Sequence, residues 1–250
     1  MGYLQLNPTM RYAKLSDDTP VVVKLLRLNS DELRILQQLH SIKSPYNPTI
    51  PLIETLKLNR ATFIVLPTAY PLDLELKLGK LSSSAVVDLS RQLIAGVRFM
   101  HRHGTAHLDI NPGNMVVLGS RLLIIDYDIL VCVKDPDALI DYWCGTPRWM
   151  VPEIGHKDSP KRWYSPIRAD PWSCGQTLKY LADEGSVNEN PFEPLIKQLL
   201  DIDPQRRPLL HLDTVECLVE RSLSEPQVSL KRKAGALSPV VKRPAGTIPP

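Results

Sequence analysis

The apolar and polar positions over Arg11–Leu15 and Val21–Leu26 predict two strands, with Ser16-Asp17-Asp18-Thr19-Pro20 as the turn between them. Asn29-Ser30-Asp31 then offers a helix start, and Leu33, Leu36 and Leu39 follow at helical spacing until Pro45 and Pro48 close the element. Ile50–Leu58 and Ala61–Leu66 read as a hairpin turning at Asn59-Arg60. The order strand, strand, helix, strand, strand describes a small sheet carrying one helix.

The pattern changes after Pro67 and Pro71. From Ser84 to His103 the period becomes helical, with Val86, Leu89, Leu93, Val97 and Met100 on one face and Gly104 as the stop. Short strands are predicted at Met115–Leu118 and Leu122–Ile125, and helices beyond Asp170 with a break near Gly185–Asn190. From about Ser224 the chain is rich in Pro, Ser, Lys and Gly and reads as disordered.

Composition adds limits. The 250 residues, 43% of them hydrophobic, suffice for one large domain or two lobes. No apolar run has the length of a membrane span, and the first residues do not resemble a secretory signal. The four cysteines form no CxxC pair, which points away from zinc and disulfide frameworks and toward an intracellular location, cytoplasmic or nuclear. The net charge of +3 is unevenly spread. Residues 223–250 hold five basic side chains and one acidic, +4, which leaves −1 for the preceding 222. A nearly neutral domain with a basic tail gives no signature of specific nucleic-acid binding. In the tail, Lys231-Arg232-Lys233 and Lys242-Arg243 suit a nuclear address read by an import factor through residues 231–243; a solvated charged tail accounts for them equally.

The chemistry gathers in two stretches, His107-Leu108-Asp109-Ile110-Asn111-Pro112-Gly113-Asn114 and Asp126-Tyr127-Asp128. Phosphoryl transfer needs a triphosphate held, a divalent metal placed and an acceptor hydroxyl oriented. A carboxylate beside the acceptor, an amide oxygen on the metal and a second carboxylate on the metal and phosphates provide these functions. Asp109, Asn114 and Asp126 supply those groups: the first two lie five positions apart in one Pro-Gly loop, and Asp126 ends an apolar strand.

These stretches resemble the His-Arg-Asp catalytic loop and the Asp-Phe-Gly metal loop of eukaryotic-type protein kinases. Further resemblances follow in family order. Val21-Val22-Val23-Lys24 is similar to the strand whose lysine holds the α- and β-phosphates, and Glu32 to the helix glutamate that pairs with it. Gly145-Thr146-Pro147-Arg148-Trp149-Met150-Val151-Pro152-Glu153 resembles the segment ending in Ala-Pro-Glu. Asp170-Pro171-Trp172-Ser173-Cys174-Gly175 resembles the start of the central large-lobe helix, and Asp203–Pro208 the late segment whose arginine, here Arg207, pairs with Glu153.

The resemblance implies an α+β, two-lobed fold with a kinase-like domain over 1–222. It has a β-rich lobe (1–66) with one helix, a hinge at Pro67-Thr68-Ala69-Tyr70 and a mainly helical lobe (71–222), followed by the tail at 223–250. It implies ATP and Mg²⁺ as cofactors and a protein as substrate. Asp109, Lys24, Glu32 and Thr146 would be catalytic. Lys24, Val22, Leu66, Thr68, Ala69, Asn114 and Asp126 would line the nucleotide, with Asn114 and Asp126 on the metal.

Five departures bear on activity. No Gly-rich loop precedes Lys24, where the equivalent stretch is Leu6-Asn7-Pro8-Thr9-Met10-Arg11; this implies weaker phosphate contact or an incomplete N-terminus. Val22 replaces a smaller alanine against the adenine. Asn111 replaces a lysine that neutralises the transferring phosphoryl group, a kind of contact worth ~10²–10³ in rate. Asp128 replaces glycine, adding charge and stiffness. Leu108 replaces the arginine that reads a phosphate on the activation segment, and Ile129–Cys144 contains no Ser or Thr. Switch and sensor are absent together, so activity is expected to be independent of Ser/Thr phosphorylation there.

Three functions remain open on the sequence: a Ser/Thr-type protein kinase, a pseudokinase acting as a binding or scaffolding module, and a small-molecule kinase. The last rests on a similarity of Asp109–Asn114 and Ile124–Tyr127 to the aminoglycoside and choline kinase group. The segments Gly145–Glu153 and Asp203–Pro208 have no place in that group.

Overall fold

A computed structural model describes residues 9–27, 30–59, 61–135, 137–155 and 162–210. Leu6–Pro8, Asn29, Arg60 and the basic tail lie outside the described residues.

Strands β1 (Met10–Lys14) and β2 (Pro20–Leu25) form the first hairpin, followed by helix α1 (Glu32–His40). β3 (Glu54–Leu58) and β4 (Ala61–Pro67) complete an antiparallel sheet in the order β1-β2-β4-β3. The second hairpin begins later than the pattern suggested, at Glu54 rather than Ile50. The chain leading into it is held toward β8, where Ile124 N–H donates to Pro48 O at 2.8 Å and Thr49 bridges Ile124, and it reaches β4 at Ile53, whose N–H donates to Val65 O at 2.9 Å. Register places Val22 opposite Leu66 and Lys24 opposite Ile64, so these four share one sheet face.

The chain continues through β5 (Tyr70–Pro71), α2 (Leu72–Lys77) and the long helix α3 (Ser83–Arg102). The Ser82 hydroxyl accepts the Ala85 N–H and caps α3. All five residues of the expected apolar face are buried in α3. Each such side chain contributes about 1.5–3 kcal/mol relative to exposure. Gly96 lets this helix approach the 47–50 segment, because a Cβ there would meet Pro48 Cβ at 2.8 Å.

After β6 (Thr105–Ala106), β7 (Met115–Leu118) and β8 (Arg121–Ile124) form a hairpin, with β5 added on the β7 edge. β9 (Val131–Cys132) pairs with β6. The last described helices are α4 (Pro166–Glu184) and α5 (Glu193–Leu199). α4 starts one turn before the expected Asp170; Pro166 takes its first turn, where a missing N–H costs nothing, and Pro171 lies inside.

One apolar cluster joins Ile35, Leu36 and Leu39 of α1 and Ile64 and Leu66 of β4 to Leu93, Val97 and Met100 of α3. A second gathers Ala106, Leu108, Val133, Cys144, Val151 and Ile154 under the segment after β8. The architecture is therefore α+β, a β-sheet lobe with one helix followed by a mainly helical lobe. No helix among the described residues is long and apolar enough to cross a membrane.

Candidate active site

Strand β2 delivers Lys24 to the buried sheet face. Its Nζ donates to Glu32 Oε1 and Oε2 at 2.7 and 2.8 Å and to Asp126 Oδ1 at 2.9 Å. Lys24 and Glu32 are both nearly inaccessible, at 4% and 2% exposure. Burial alone would lower the lysine pKa, but the two carboxylates outweigh it and hold Lys24 above its ordinary value. Burial pushes Glu32 up to about 7; Lys24 opposes this, and Asp128 and Asp126 add to it. One carboxylate oxygen from each of Glu32, Asp126 and Asp128 lies within 4.8 Å of the other two. Three carboxylates stand against the Lys24 ammonium and the largely exposed Arg27 guanidinium at Asp128, an acidic environment that favours a cation.

The loop after β6 is held from beneath. Asp170 of α4 accepts the backbone N–H of His107 and of Leu108, each at 2.8 Å, and its Oδ2 lies 2.9 Å from His101 Nε2. These contacts fix Leu108 in the left-handed region at φ 64°, which turns the chain so that Asp109 follows in its bonded position. His107 Nδ1 accepts the Asp109 N–H at 3.3 Å, so its Nε2–H donates to Ile125 O at 3.2 Å. Burial lowers the His107 pKa and favours this neutral ring. His107 thereby couples the 107–114 loop to the residue before Asp126, which is itself left-handed at φ 68°. Tyr127 anchors the next position, with its hydroxyl on Ile124 O at 3.0 Å and its ring edge-on to His107 at 5.2 Å.

Asp109 is surrounded by donors. Oδ1 accepts from Asn111 Nδ2 at 3.0 Å and from the Thr146 N–H at 2.8 Å, and Oδ2 accepts from Asn114 Nδ2 at 2.7 Å. Asn114 Nδ2 also donates to Asp109 O at 2.9 Å, so its Oδ1 is the atom suited to a metal. Thr146 enters through its backbone amide, not its hydroxyl. Gly145 makes that approach feasible: at φ 97°, a Cβ there would lie 2.6 Å from Leu108 O.

Leu66 is buried, Val22 lies opposite it, and Ala69 packs against the main cluster. Thr68 Oγ1, at the expected hinge, is buried without a hydrogen-bond partner, an orphan that a bound nucleotide's polar edge fits. Asn111 is more committed than its sequence suggested. Its Nδ2 donates to Asp109 O and Oδ1, both at 3.0 Å, and its Oδ1 accepts the Gly113 N–H. It therefore braces the loop. Leu108 is buried in the apolar cluster beneath the 129–154 segment. Sequence reasoning did not assign roles to His107 and Asp170. The spacing of Asp170 from the loop, over sixty residues, carries no local signal.

A β-sheet lobe, a helical lobe, and a lysine–carboxylate cluster beside an Asp–Asn loop define the protein kinase class of fold and site. The chain belongs to the protein kinase domain family, whose pattern it matches over residues 13–193. Members of this family generally use ATP and Mg²⁺. The chain is 32% identical to the CBL-interacting serine/threonine-protein kinase 5 of Arabidopsis thaliana over 155 residues, 52% of this chain and 34% of that protein. It is 35% identical to CBL-interacting protein kinase 16 of Oryza sativa subsp. japonica over 106 residues, 41% of this chain and 22% of the relative. The matches thus span about a fifth to a third of the length of these relatives.

Proposed function

We propose that the chain is an ATP- and Mg²⁺-dependent protein kinase of the Ser/Thr type, with its domain over 1–222 and a hinge at 67–70. The observation that carries this reading is Asp109, held by Asn111, Asn114 and the Thr146 amide in a loop that His107 couples to the neighbourhood of Asp126. Asp109 would orient an acceptor hydroxyl and take its proton. Asn114 Oδ1 and Asp126 would hold the metal, and Lys24, positioned by Glu32, would pair with phosphate oxygens. Val22, Leu66, Thr68 and Ala69 would contact the base. Bound Mg²⁺ would supply charge neutralisation between phosphate oxygens. The Ser/Thr assignment is supported by Thr146 and by the serine/threonine specificity in the name of the Arabidopsis relative.

A binding module with little turnover is the second reading. It is favoured by Asn111, whose side chain is occupied within the loop and brings no charge to the phosphoryl group. Transfer of the γ-phosphate of radiolabelled ATP to degenerate peptides separates the two. The expected result is label on Ser- and Thr-centred peptides and none on Tyr-centred ones. Nucleotide binding without transfer to any hydroxyl would support the second reading.

A further inference from the structure

Asp128, two positions beyond Asp126, reaches out of its own loop to the entry of α1. Its side chain is 14% exposed. Oδ1 accepts from Ser30 Oγ at 2.9 Å, and Oδ2 lies 3.3 Å from Arg27 Nε. Ser30 Oγ in turn accepts the N–H of Glu32, the first residue of α1, at 3.0 Å. Asp31, which precedes that helix, makes no side-chain cap. Ser30 therefore does the capping, and Asp128 fixes the hydroxyl that caps.

The contacts close a ring. Asp128 holds Ser30, Ser30 holds the Glu32 amide, the Glu32 carboxylate holds Lys24, Lys24 holds Asp126, and the chain returns to Asp128. The far end of α1 is tied to the same region. Asn47 Nδ2 donates to Leu39 O and Ile42 O, while Pro48 O receives the Ile124 N–H at the end of β8. Helix α1 is thus fastened at both ends to the β8 neighbourhood. A carboxylate set beside Glu32 and Asp126 is electrostatically unfavourable unless its own contacts offset the repulsion. Ser30 and Arg27 supply those contacts. Arg27 is largely exposed, so solvent screening leaves Ser30 as the stronger tie.

We propose that Asp128, acting through Ser30, is a positioning residue that latches α1 so that Glu32 stays in register with Lys24. The latch is permanent and needs no phosphate. It complements Leu108, which is apolar and buried, and a 129–144 segment without Ser or Thr. The kinetic meaning of the latch rests on the kinase reading above; its effect on α1 does not.

The test is amide hydrogen exchange over Glu32–His40 in the full chain, with ATP kinetics alongside. Asp128→Ala and Ser30→Ala are each expected to speed exchange in α1 about tenfold and leave α5 unchanged. The double variant should be no faster than the faster single, because both remove one linkage. Asp128→Asn, which keeps an acceptor for Ser30, should restore exchange to within about threefold of the parent. Ser30→Asp, which sets a carboxylate against Asp128, should exceed Ser30→Ala. Where the parent transfers phosphate, kcat/KM for ATP should fall in the same order. Unchanged α1 exchange in both alanine variants, or additive effects in the double, would overturn the latch. If exchange responds as expected while the parent transfers no phosphate, the latch stands and the kinase reading falls.

Discussion

Asp109→Ala is expected to slow phosphoryl transfer by about 10²–10⁴-fold, the range for loss of a positioned acid–base group. The carboxylate accepts three donors that fix its orientation, from Asn111, Asn114 and the Thr146 amide. Alanine removes both the proton acceptor and the point where the 107–114 loop meets the 145–149 segment. Asp109→Asn separates these effects. It keeps the shape and one carbonyl oxygen for the Thr146 N–H but has no charge to receive a proton. Both variants should lower kcat far more than they raise KM for ATP, and the Asn variant should melt close to the parent. The measurement is steady-state peptide phosphorylation, with a melting curve on the same samples. Turnover within threefold of the parent in either variant would remove Asp109 from the chemistry.

The largest expected effect on stability falls on the pair Arg207–Glu153. Arg207 is 2% exposed, and its five N–H groups have five acceptors. Nε donates to Asp201 O, Nη1 to Glu153 Oε1 and Arg168 O, and Nη2 to Glu153 Oε2 and Ile202 O. The guanidinium also lies 4.9 Å from the Trp172 ring centroid, which adds a cation–π contact. Glu153→Ala leaves this cation buried and unpaired, and Arg207→Ala removes the donors that reach three backbone carbonyls and the Glu153 carboxylate. Each should destabilise the fold by about 3–5 kcal/mol, a fall in Tm of roughly 6–20 °C for a domain of this size. Arg207→Lys offers three donors without the planar fork and should recover only part of the loss. A Tm within 2 °C of the parent in either alanine variant would show that the pair is not a structural clasp.

What could be read from the sequence follows the physics of each feature. Helix α3 was legible because Val86, Leu89, Leu93, Val97 and Met100 repeat at helical spacing over about four turns and all are buried. β5, β6 and β9 were not, since two residues carry no periodicity, and the six residues of α2 make fewer than two turns, too few for a 3.6-residue repeat to show. α4 starts before the expected Asp170 because Pro166 suits its first turn, where the missing N–H costs nothing, and Pro171 is carried inside the helix. At the site, the types and order of Asp109, Asn114, Asp126, Lys24 and Glu32 were legible as a kinase-like set, and the fold brings Lys24 onto Glu32 and Asp126. What side chains do after folding was hidden. Asn111 could be seen as a missing positive charge, yet only the folded loop shows it bracing Asp109. Asp128 could be seen as an extra charge, yet Ser30 lies 98 positions away in the chain, and no local pattern links them.

We propose that Lys24, Asn114 and Asp126 together hold nucleotide through a divalent cation. Calorimetric titration of the full chain with ATP, with and without Mg²⁺, tests it most directly. The expected result is saturable binding that strengthens at least tenfold with Mg²⁺, with that gain lost in Asp126→Ala. No binding at millimolar ATP, or binding indifferent to Mg²⁺ and to Asp126, would contradict it.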